Sequence, residues 1–366
     1  MATYGTLNIE NITSSTGGVI SPNITSLRNR IINGAMVINQ RANTPLSVTS
    51  GTANYSVDRF YAQCTSGSFT VTQSTSAPVG FTNSILVNVT SAVASPAATD
   101  VFTIAQVIEG YNIADLQEGT ANAKSFTVSF WVKSNLTGTF CVGLRNSAGD
   151  AGYAATYTIS VANTWQYVTL TIPGTALGTW VTNNTAGLYV IFDMGSGSNR
   201  NITANTWVVS SGFNTSTQTN VMASTSNNFS VTGVQLEVGA QATSFDYRPY
   251  GTELMLCQRY LPAWTSATSG DIFAGGGVAS ATYAYYTFSY LVSPRVIPTG
   301  LVVSSLSTFT VNPYLTGGGV PSSIVFSNGG TRSARIYAIS SGMTQGGYVE
   351  LNGSSGSQIY FTGCEL

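Results

Sequence analysis

The side chains that carry out most enzyme chemistry are scarce in this sequence, and histidine is absent. Histidine has the ordinary pKa closest to neutral pH, and it is the usual base beside a catalytic serine or cysteine. Its absence excludes Ser-His and Cys-His nucleophile arrangements. We therefore expect a protein that is not an enzyme, with no catalytic residue and no cofactor.

The 14 carboxylates offer little to a glycosidase or to a metal site. Glycoside hydrolysis needs two acids on opposite sides of the bond that breaks, and calcium needs several clustered oxygen ligands. Local ion pairs explain Asp58 beside Arg59 and Asp246 two residues from Arg248 more simply. Asp193 precedes a Gly/Ser/Asn-rich loop but is a single carboxylate, so no metal site is predicted.

The four cysteines, Cys64, Cys141, Cys257 and Cys364, lie far apart and form no CxxC motif. Zinc sites usually take their ligands from closely spaced pairs. Each cysteine has apolar or strand-like neighbours, which favours buried free thiols. Two disulfides are the alternative.

The chain is poor in charge and rich in neutral polar residues. Only 7% of its 366 residues are charged, against about 25% in an ordinary soluble domain. Its 13 basic residues are scattered and its net charge is −1, so the electrostatic footprint of nucleic-acid binding is missing. The sequence shows neither a secretion signal nor an apolar run of the ~20 residues that cross a bilayer. We expect synthesis in a host cytoplasm, with no membrane insertion and no nucleic-acid partner.

Short alternating strands separated by Gly, Asn, Ser and Pro predict an all-β fold. The clearest example is residues 125–133, where Phe126, Val128, Phe130 and Val132 share one face. The pattern extends over residues 31–248 and predicts a β-sandwich. Residues 1–30 are polar and carry too little apolar surface to fold alone. They are therefore predicted to be an attachment segment that becomes ordered on a partner or on its own symmetry mates, with a flexible leader as the alternative.

A connecting helix is predicted over residues 249–263, capped by Thr252 and ended by Pro262. Leu254, Cys257 and Leu261 repeat at helical spacing and would pack on the sandwich.

Residues 264–366 contain a second set of short strands, enough for one smaller C-terminal β-sandwich. Residues 275–277 and 317–319 are two runs of three glycines. No helix pattern follows either run, as a phosphate loop would require. Both runs are therefore predicted to be hairpin tips.

Several stretches resemble a family of bacteriophage tail-fibre and virion structural proteins. Residues 30–41 (RIINGAMVINQR) and 55–60 (YSVDRF) are similar to the opening of these proteins. Residues 106–110 (QVIEG) and 126–133 (FTVSFWVK) are similar to the jelly roll of carbohydrate-binding modules, which also occurs in polysaccharide-degrading enzymes.

The same resemblance continues to the end of the chain. Residues 231–239, 242–250 and 256–260 resemble the family's last strand and exit helix, and residues 359–366 resemble its terminal sandwich. The implied architecture is a jelly-roll β-sandwich, a short helix and a second, smaller β-sandwich.

Aromatic residues are the candidate ligand-binding groups, because jelly-roll modules of this kind stack aromatic faces on sugar rings. Trp180 lies in a loop-rich stretch, whereas Trp131 lies in a strand and is expected to pack. Tyr283 and Tyr285 share one face of a strand whose other face carries Tyr286 and Phe288. One of these rows must meet solvent or a neighbouring subunit.

The resemblance implies a virion protein displayed on the particle, foremost a tail fibre or adhesin that contacts host-surface glycans. A capsid-attached fibre or decoration protein, anchored to other virion proteins by residues 1–30, is the alternative. A carbohydrate-binding module of a secreted hydrolase is a third. Fibres of this kind are commonly trimers, and a charge-poor surface suits subunit packing, so a homotrimer is expected.

Overall fold

The computed structural model describes residues 28–366 except 43, 52–53 and 315–316, together with two short paired strands, β1 (Ile12–Thr13) and β2 (Val19–Ile20). The predicted attachment segment of residues 1–30 therefore lies largely outside the described residues. Its last residues join the first sandwich, because Asn29 Nδ2 donates to Val234 O at 2.9 Å and Arg30 N donates to Leu236 O at 2.8 Å.

The first unit is a jelly-roll sandwich of two six-stranded antiparallel sheets, in the orders β11-β10-β13-β8-β5-β4 and β12-β9-β14-β7-β6-β3. Its strands are β3 (Leu46–Val48), β4 (Asn54–Tyr55), β5 (Tyr61–Cys64), β6 (Ser68–Ser74), β7 (Ser84–Ser91), β8 (Phe102–Glu109), β9 (Phe126–Ser134), β10 (Gly138–Asn146), β11 (Gly152–Ile159), β12 (Gln166–Ile172), β13 (Ala186–Asp193) and β14 (Asn228–Val238).

The core of this sandwich lies between the two sheets. Phe126, Val128, Phe130 and Val132 of β9 are all fully buried there, as the alternation predicts. Because side chains alternate across a strand, Trp131 lies on the opposite, outward face of β9. Short 3₁₀ helices lie at Gly110–Asn112, Ala114–Leu116, Ser198–Arg200, Val221–Ala223 and Leu306–Thr308.

The connecting helix, α1, spans Tyr250–Gln258 and follows Pro249. It begins two residues before Thr252, so the predicted cap position is wrong. Pro249 suits the start of a helix because its fixed φ and missing N–H cost nothing there. Cys257 is fully buried in a cluster with Ile32 and Ile38, so the helix packs on the chain that enters the sandwich.

The second unit is a smaller sandwich of a six-stranded sheet, β19-β22-β16-β17-β21-β20, and a three-stranded sheet, β15-β23-β18. Its strands are β15 (Ala263–Thr265), β16 (Asp271–Ser280), β17 (Tyr283–Ser289), β18 (Gly300–Val303), β19 (Phe309–Pro313), β20 (Ser323–Gly329), β21 (Ser333–Ile339), β22 (Tyr348–Gly353) and β23 (Gln358–Thr362). Its core contains Tyr286, Phe288, Phe309, Ile359 and Phe361. The predicted fold class is confirmed.

One predicted turn is a strand. Residues 275–277 lie inside β16, a central strand of the larger C-terminal sheet, and are not a hairpin tip. Residues 317–319 lie in the connection between β19 and β20. These two strands lie at opposite edges of the sheet, so this run is in a loop and is not a hairpin tip either. Its φ values are +82°, +86° and +120°. Glycine readily adopts this left-handed backbone, which other residues avoid.

The C-terminal residues clamp the second sandwich to the first. Glu365 forms ion pairs with Arg59 at 2.7 Å and with Arg41 at 2.9 Å. Arg59 is almost fully buried, and its guanidinium lies 3.5 Å from the ring centroid of Tyr260. Arg295 adds hydrogen bonds to Asn184 O at 2.9 Å and to Glu365 O at 2.6 Å. Each sandwich thus supplies groups that neutralise charge on the other.

The four cysteines are buried free thiols, as expected from their apolar neighbours. Among the described residues, none of the helices has both the length and the apolar character needed to cross a membrane.

Candidate functional site

A cleft of about 390 Å³ opens on the outward face of the sheet that contains β9. Trp131 of β9 and Tyr167 of β12 are directly paired across the two strands, with ring centroids 5.4 Å apart. We call this site the aromatic cleft. Its lining residues are Phe81, Ser129, Trp131, Tyr167, Gly233, Ala242, Thr243, Ser244, Phe245 and Tyr247.

A bulge in β14 shapes the floor of the aromatic cleft. The register of β14 against β9 shifts between Thr232 and Gln235, and Gly233 in the bulge has a φ of +61°. A Cβ at Gly233 would lie 2.7 Å from Phe81 Cζ and 3.1 Å from Trp131 Cδ1. Glycine is required here for two reasons, the left-handed backbone and the close approach of two rings.

Buried hydrogen bonds hold one wall of the cleft, residues 242–247, against the sheet. The Glu237 carboxylate accepts from Thr243 N at 2.8 Å and from Thr243 Oγ1 at 2.7 Å, and it also accepts from Gln235 Nε2 at 2.8 Å. Gln235 Oε1 accepts from Asp246 N at 2.8 Å. Both Gln235 and Glu237 are buried. Removing either one would leave buried polar groups unpaired, so the wall has one preferred position.

The rings of Phe245 and Tyr247 on that wall pack against each other and against the ring of Phe81. The ring centroids of Phe81 and Phe245 lie 5.0 Å apart, and those of Phe245 and Tyr247 lie 4.8 Å apart, both with edge-to-face geometry. Tyr247 Oη donates to Gly80 O at 2.8 Å. Desolvation raises the pKa of Tyr247, so its phenol stays protonated and keeps this bond. The cluster fixes the side of the cleft that faces Trp131 and Tyr167.

The chemistry of the lining is uniform. It consists of aromatic faces, hydroxyl groups and backbone, and it contains no carboxylate, ammonium or guanidinium group. Such a surface complements a flat, uncharged ligand with apolar faces and a hydroxylated edge. It offers no pair of acids for hydrolysis.

The structure brings Tyr283 and Tyr285 together on the outward face of β17 and adds Tyr337 from β21. The centroids of Tyr283 and Tyr285 lie 5.6 Å apart, and that of Tyr337 lies 6.1 Å from Tyr285. With Thr282 and Ile339 these rings line a cavity of about 330 Å³, which we call the tyrosine face. The Arg335 guanidinium lies 5.5 Å from the Tyr285 centroid. Tyr337 was recognisable in the sequence, since it alternates with the buried Ile336 and Ala338.

Trp180 lies apart from both cavities. It is half-buried against the core of the first sandwich. Its Nε1 donates to Leu177 O at 2.9 Å, and its ring meets Trp207 edge to face at 5.9 Å. These contacts anchor the loop, and a ligand-binding role for Trp180 stays a prediction.

Sequence reasoning misses the aromatic cleft, because Trp131 was placed among the packing residues. The missed signal is the phase of the strand. Trp131 is out of step with the buried row Phe126, Val128, Phe130 and Val132, so it must face outward. Phe81 and Tyr247 carry no comparable signal, since only the folded chain brings their loops to the same sheet.

The expected local ion pairs do not form. Arg248 pairs with Glu253 at 3.1 Å, while Asp246 accepts from Asn29 N at 3.3 Å. Asp58 accepts from Gln40 N at 2.9 Å. In each case a partner from another element gives better geometry than the sequence neighbour.

Asp193 has a structural role in its loop. It is buried and accepts from Gly195 N at 2.9 Å and from Ser196 N at 3.2 Å. Burial raises its pKa. In the part of the chain that the structure describes, no group of three or more Cys, Asp or Glu side chains is arranged to hold a metal.

No protein-family model matches this sequence, and no curated protein matches it in sequence. Structural likenesses include the enzymatically active domain of tailspike protein 4 from bacteriophage CBA120, with 16% identity, a TM-score of 0.29 and coverage of 58% of this chain and 22% of that one. A putative sugar-binding protein from Bacteroides thetaiotaomicron has 10% identity, a TM-score of 0.35 and coverage of 58% and 100%. A family 4 carbohydrate-binding module has 13% identity, a TM-score of 0.28 and coverage of 57% and 98%.

This chain spans less than a quarter of the tailspike domain. At these identities and TM-scores the likenesses say nothing about what this chain does. The sheets and their order define the class, an all-β protein made of a jelly roll followed by a smaller sandwich.

Proposed function

We propose that this chain is a non-enzymatic glycan-binding protein displayed on a bacteriophage particle, as a tail fibre or adhesin that contacts host-surface sugars. The observation that supports glycan binding is the aromatic cleft, where Trp131 and Tyr167 present adjacent rings in a fixed, uncharged site. A pyranose ring has an apolar C–H face and an edge of hydroxyl groups, so it can stack on these rings while Thr243 and Ser244 of the lining bond its hydroxyls.

The same lining supports the proposal of binding without turnover. The cleft contains no carboxyl group, and the nearby Glu237 is committed to Gln235 and Thr243. A ligand would be held and released unchanged. Because the lining contains no charged group that would contact the ligand, the affinity should change little with salt concentration.

A glycan array tests this proposal directly. The full chain should retain a set of neutral oligosaccharides, and Trp131→Ala and Tyr167→Ala should each lower the retention of the shortest of them at least tenfold. Tyr111→Ala is the matched control, because Tyr111 is 60% exposed and lines neither cavity. Absence of any retained glycan, or retention that is unchanged in both cleft variants, would refute the proposal.

The proposed location of this chain on a bacteriophage particle rests on the resemblance of residues 30–60, 106–133 and 231–260 to phage fibre proteins. Immunoelectron microscopy with an antibody against the C-terminal sandwich should mark the tail. Label on the head would instead favour a capsid-attached fibre or decoration protein, anchored through residues 1–30. Sedimentation should give the mass of a homotrimer, and a single-chain mass at micromolar concentration would contradict that assembly.

A further inference from the structure

The outward face of the larger C-terminal sheet carries a row of residues that runs across its strands. The strand pairing aligns Tyr337 of β21 with Tyr285 of β17, Tyr285 with Gly277 of β16, and Gly277 with Tyr348 of β22. Tyr314, just after β19, continues the row, because its N–H donates to Tyr348 O at 3.2 Å. Directly paired residues point to the same face of a sheet. We call this set the tyrosine row.

The aromatic members of the row are accessible. Tyr285 is 36% exposed, Tyr348 54% and Tyr314 83%. Their strand neighbours, such as Tyr286 and Val349, are fully buried on the opposite face. Tyrosine side chains left on the surface in register across a sheet present apolar area that the fold itself does not use.

Gly277 leaves a gap in the middle of the row. Adjacent strands lie about 4.8 Å apart, so the Cα atoms of Tyr285 and Tyr348 are roughly 10 Å apart with only backbone between them. Glycine inside a strand is destabilising relative to alanine and often marks a site where another molecule approaches closely.

The fold does not require glycine at position 277. A Cβ there would meet nothing within 4 Å, and its φ lies outside the left-handed region. The adjacent glycine differs, because a Cβ at Gly276 would lie 2.0 Å from Tyr285 O. Gly276 is thus explained by packing against β17, and Gly277 is not explained by any contact within the chain.

We infer that the tyrosine row is a second saccharide-binding site, in which an extended neutral oligosaccharide lies across the strands and seats one ring in the gap over Gly277. The inference shares only the ligand class with the proposed function and does not depend on the aromatic cleft. Tyr285 and Tyr348 border the gap, and Tyr337 and Tyr314 extend the surface on either side.

The charges beside the row favour a neutral ligand. Arg335 lies two residues from Tyr337 on the same face of β21, and Glu350 lies two residues from Tyr348 on β22. One positive and one negative group therefore flank the gap, and both can hydrogen-bond hydroxyl groups. Most other outward side chains along these strands, including Thr287, Ser289 and Asn352, are uncharged hydrogen-bonding groups.

A second copy of this chain is a poorer occupant. A stable protein interface buries about 800 Å² on each partner and has an apolar centre. Here the apolar surface is a single row of rings bordered by hydroxyls, and the cavity at its end has a volume of about 330 Å³. That size suits a few sugar rings.

The test uses the full chain with the aromatic cleft disabled by Trp131→Ala, so that binding at the row is measured alone. This variant should still retain neutral oligosaccharides of several units on a glycan array. Adding Gly277→Thr should lower that retention at least tenfold, because its branched side chain fills the gap. Threonine suits a strand, so the thermal midpoint should not fall.

Tyr348→Ala combined with Trp131→Ala is a second test of the tyrosine row, and it does not depend on filling the gap over Gly277. It should also lower retention at least tenfold, whereas Tyr111→Ala should not. Sedimentation of the Gly277→Thr variant should give the mass of the unmodified chain.

Three results would overturn the inference. Loss in Trp131→Ala of every glycan that the wild-type chain retains would leave the aromatic cleft as the sole site and the proposed function intact. Retention by Gly277→Thr and Tyr348→Ala equal to that of their parent would be the second. A change of sedimentation mass with Gly277→Thr would instead assign the row to subunit contact. If the wild-type chain also retained no glycan, the proposed function would fail as well.

Discussion

The aromatic cleft and the tyrosine row both present aromatic rings on the outward face of a sheet, but the two are built differently. The cleft combines two neighbouring strands with loops from distant parts of the chain, and hydrogen bonds accepted by the buried side chains of Gln235 and Glu237 hold its wall. The row comes from strand pairing alone and is open on one side. The comparison shows that an enclosed site depends on tertiary structure, whereas a flat site needs only register and alternation.

Gly233 in the aromatic cleft and Gly277 in the tyrosine row show the same contrast. Gly233 is required by the fold, since its backbone has a φ of +61° and two rings press against it. Gly277 has neither constraint. Substitutions at these positions, and at the polar groups behind them, should therefore affect the two regions very differently.

The largest effect is expected from Glu237→Ala. It removes the acceptor of Thr243 N–H and leaves Gln235 Nε2 with longer contacts, to Thr243 O at 3.5 Å and Ser244 O at 3.4 Å. A buried donor that loses its acceptor costs about 1–3 kcal/mol. We expect the free energy of unfolding, measured by urea denaturation, to fall by about 2–4 kcal/mol. Retention of glycans by the cleft should fall as well.

Glu237→Gln is the matched control. Its amide oxygen can take the place of Oε1 and accept from Thr243 N and Gln235 Nε2, so most of the lost stability should return. An alanine variant as stable as the wild type would show that the wall is not held by this carboxylate.

Gly233→Ala should have the next largest effect. Placing an ordinary residue in the left-handed region costs about 1–2 kcal/mol, and the new Cβ would meet the Phe81 ring. We expect the thermal midpoint to fall and cleft binding to weaken, while binding at the tyrosine row stays the same. Equal losses at both sites would contradict the separation of the two regions.

The stability of the first sandwich should depend on pH through the carboxyl group of Glu118. Burial raises the pKa of Glu118 from 4.5 to about 7. The folded chain therefore holds this proton more tightly than the unfolded chain, so the contribution of Glu118 to stability is greatest below pH 4.5 and is lost as the pH rises to about 7. Burial raises the pKa values of Asp58 and Asp193 in the same direction.

Thermal unfolding at pH 5 and pH 7.5 measures this effect. The difference between the two midpoints should shrink in Glu118→Gln, which cannot ionise. An unchanged difference would show that Glu118 does not contribute.

The smallest effect is expected from Gly277→Ala. Alanine removes freedom from the unfolded chain and meets nothing in the folded one, so the free energy of unfolding should rise by up to about 1 kcal/mol. Urea denaturation of Gly277→Ala and Gly233→Ala side by side compares the free energies of unfolding of the two variants directly. A loss of stability would mean that the fold itself requires glycine at position 277.

Parts of both sites were recognisable in the sequence. Alternation in residues 283–290 separates the outward Tyr283 and Tyr285 from the buried Tyr286 and Phe288, and the structure agrees. The phase of Trp131 was equally readable. The expectation that Trp131 packs rests on its place in a strand, which fits either the core or the face of the sheet.

Other features depend on contacts that a sequence does not display. Arg59 pairs with Glu365, a residue 306 positions away, and not with its neighbour Asp58. Residues 275–277 have the composition of a turn, yet strands on both sides hold them in a sheet. The wall of the cleft forms only after a bulge in β14 places Gln235 and Glu237 beneath residues 242–247.

The most direct test of glycan binding at the aromatic cleft is an NMR titration of the tryptophan indole N–H signals. The Trp131→Phe variant assigns the Trp131 signal. Adding a retained oligosaccharide should shift the Trp131 signal, in proportion to the bound fraction, and leave the Trp180 signal in place. Saturation with that oligosaccharide without any change at Trp131 would contradict the account.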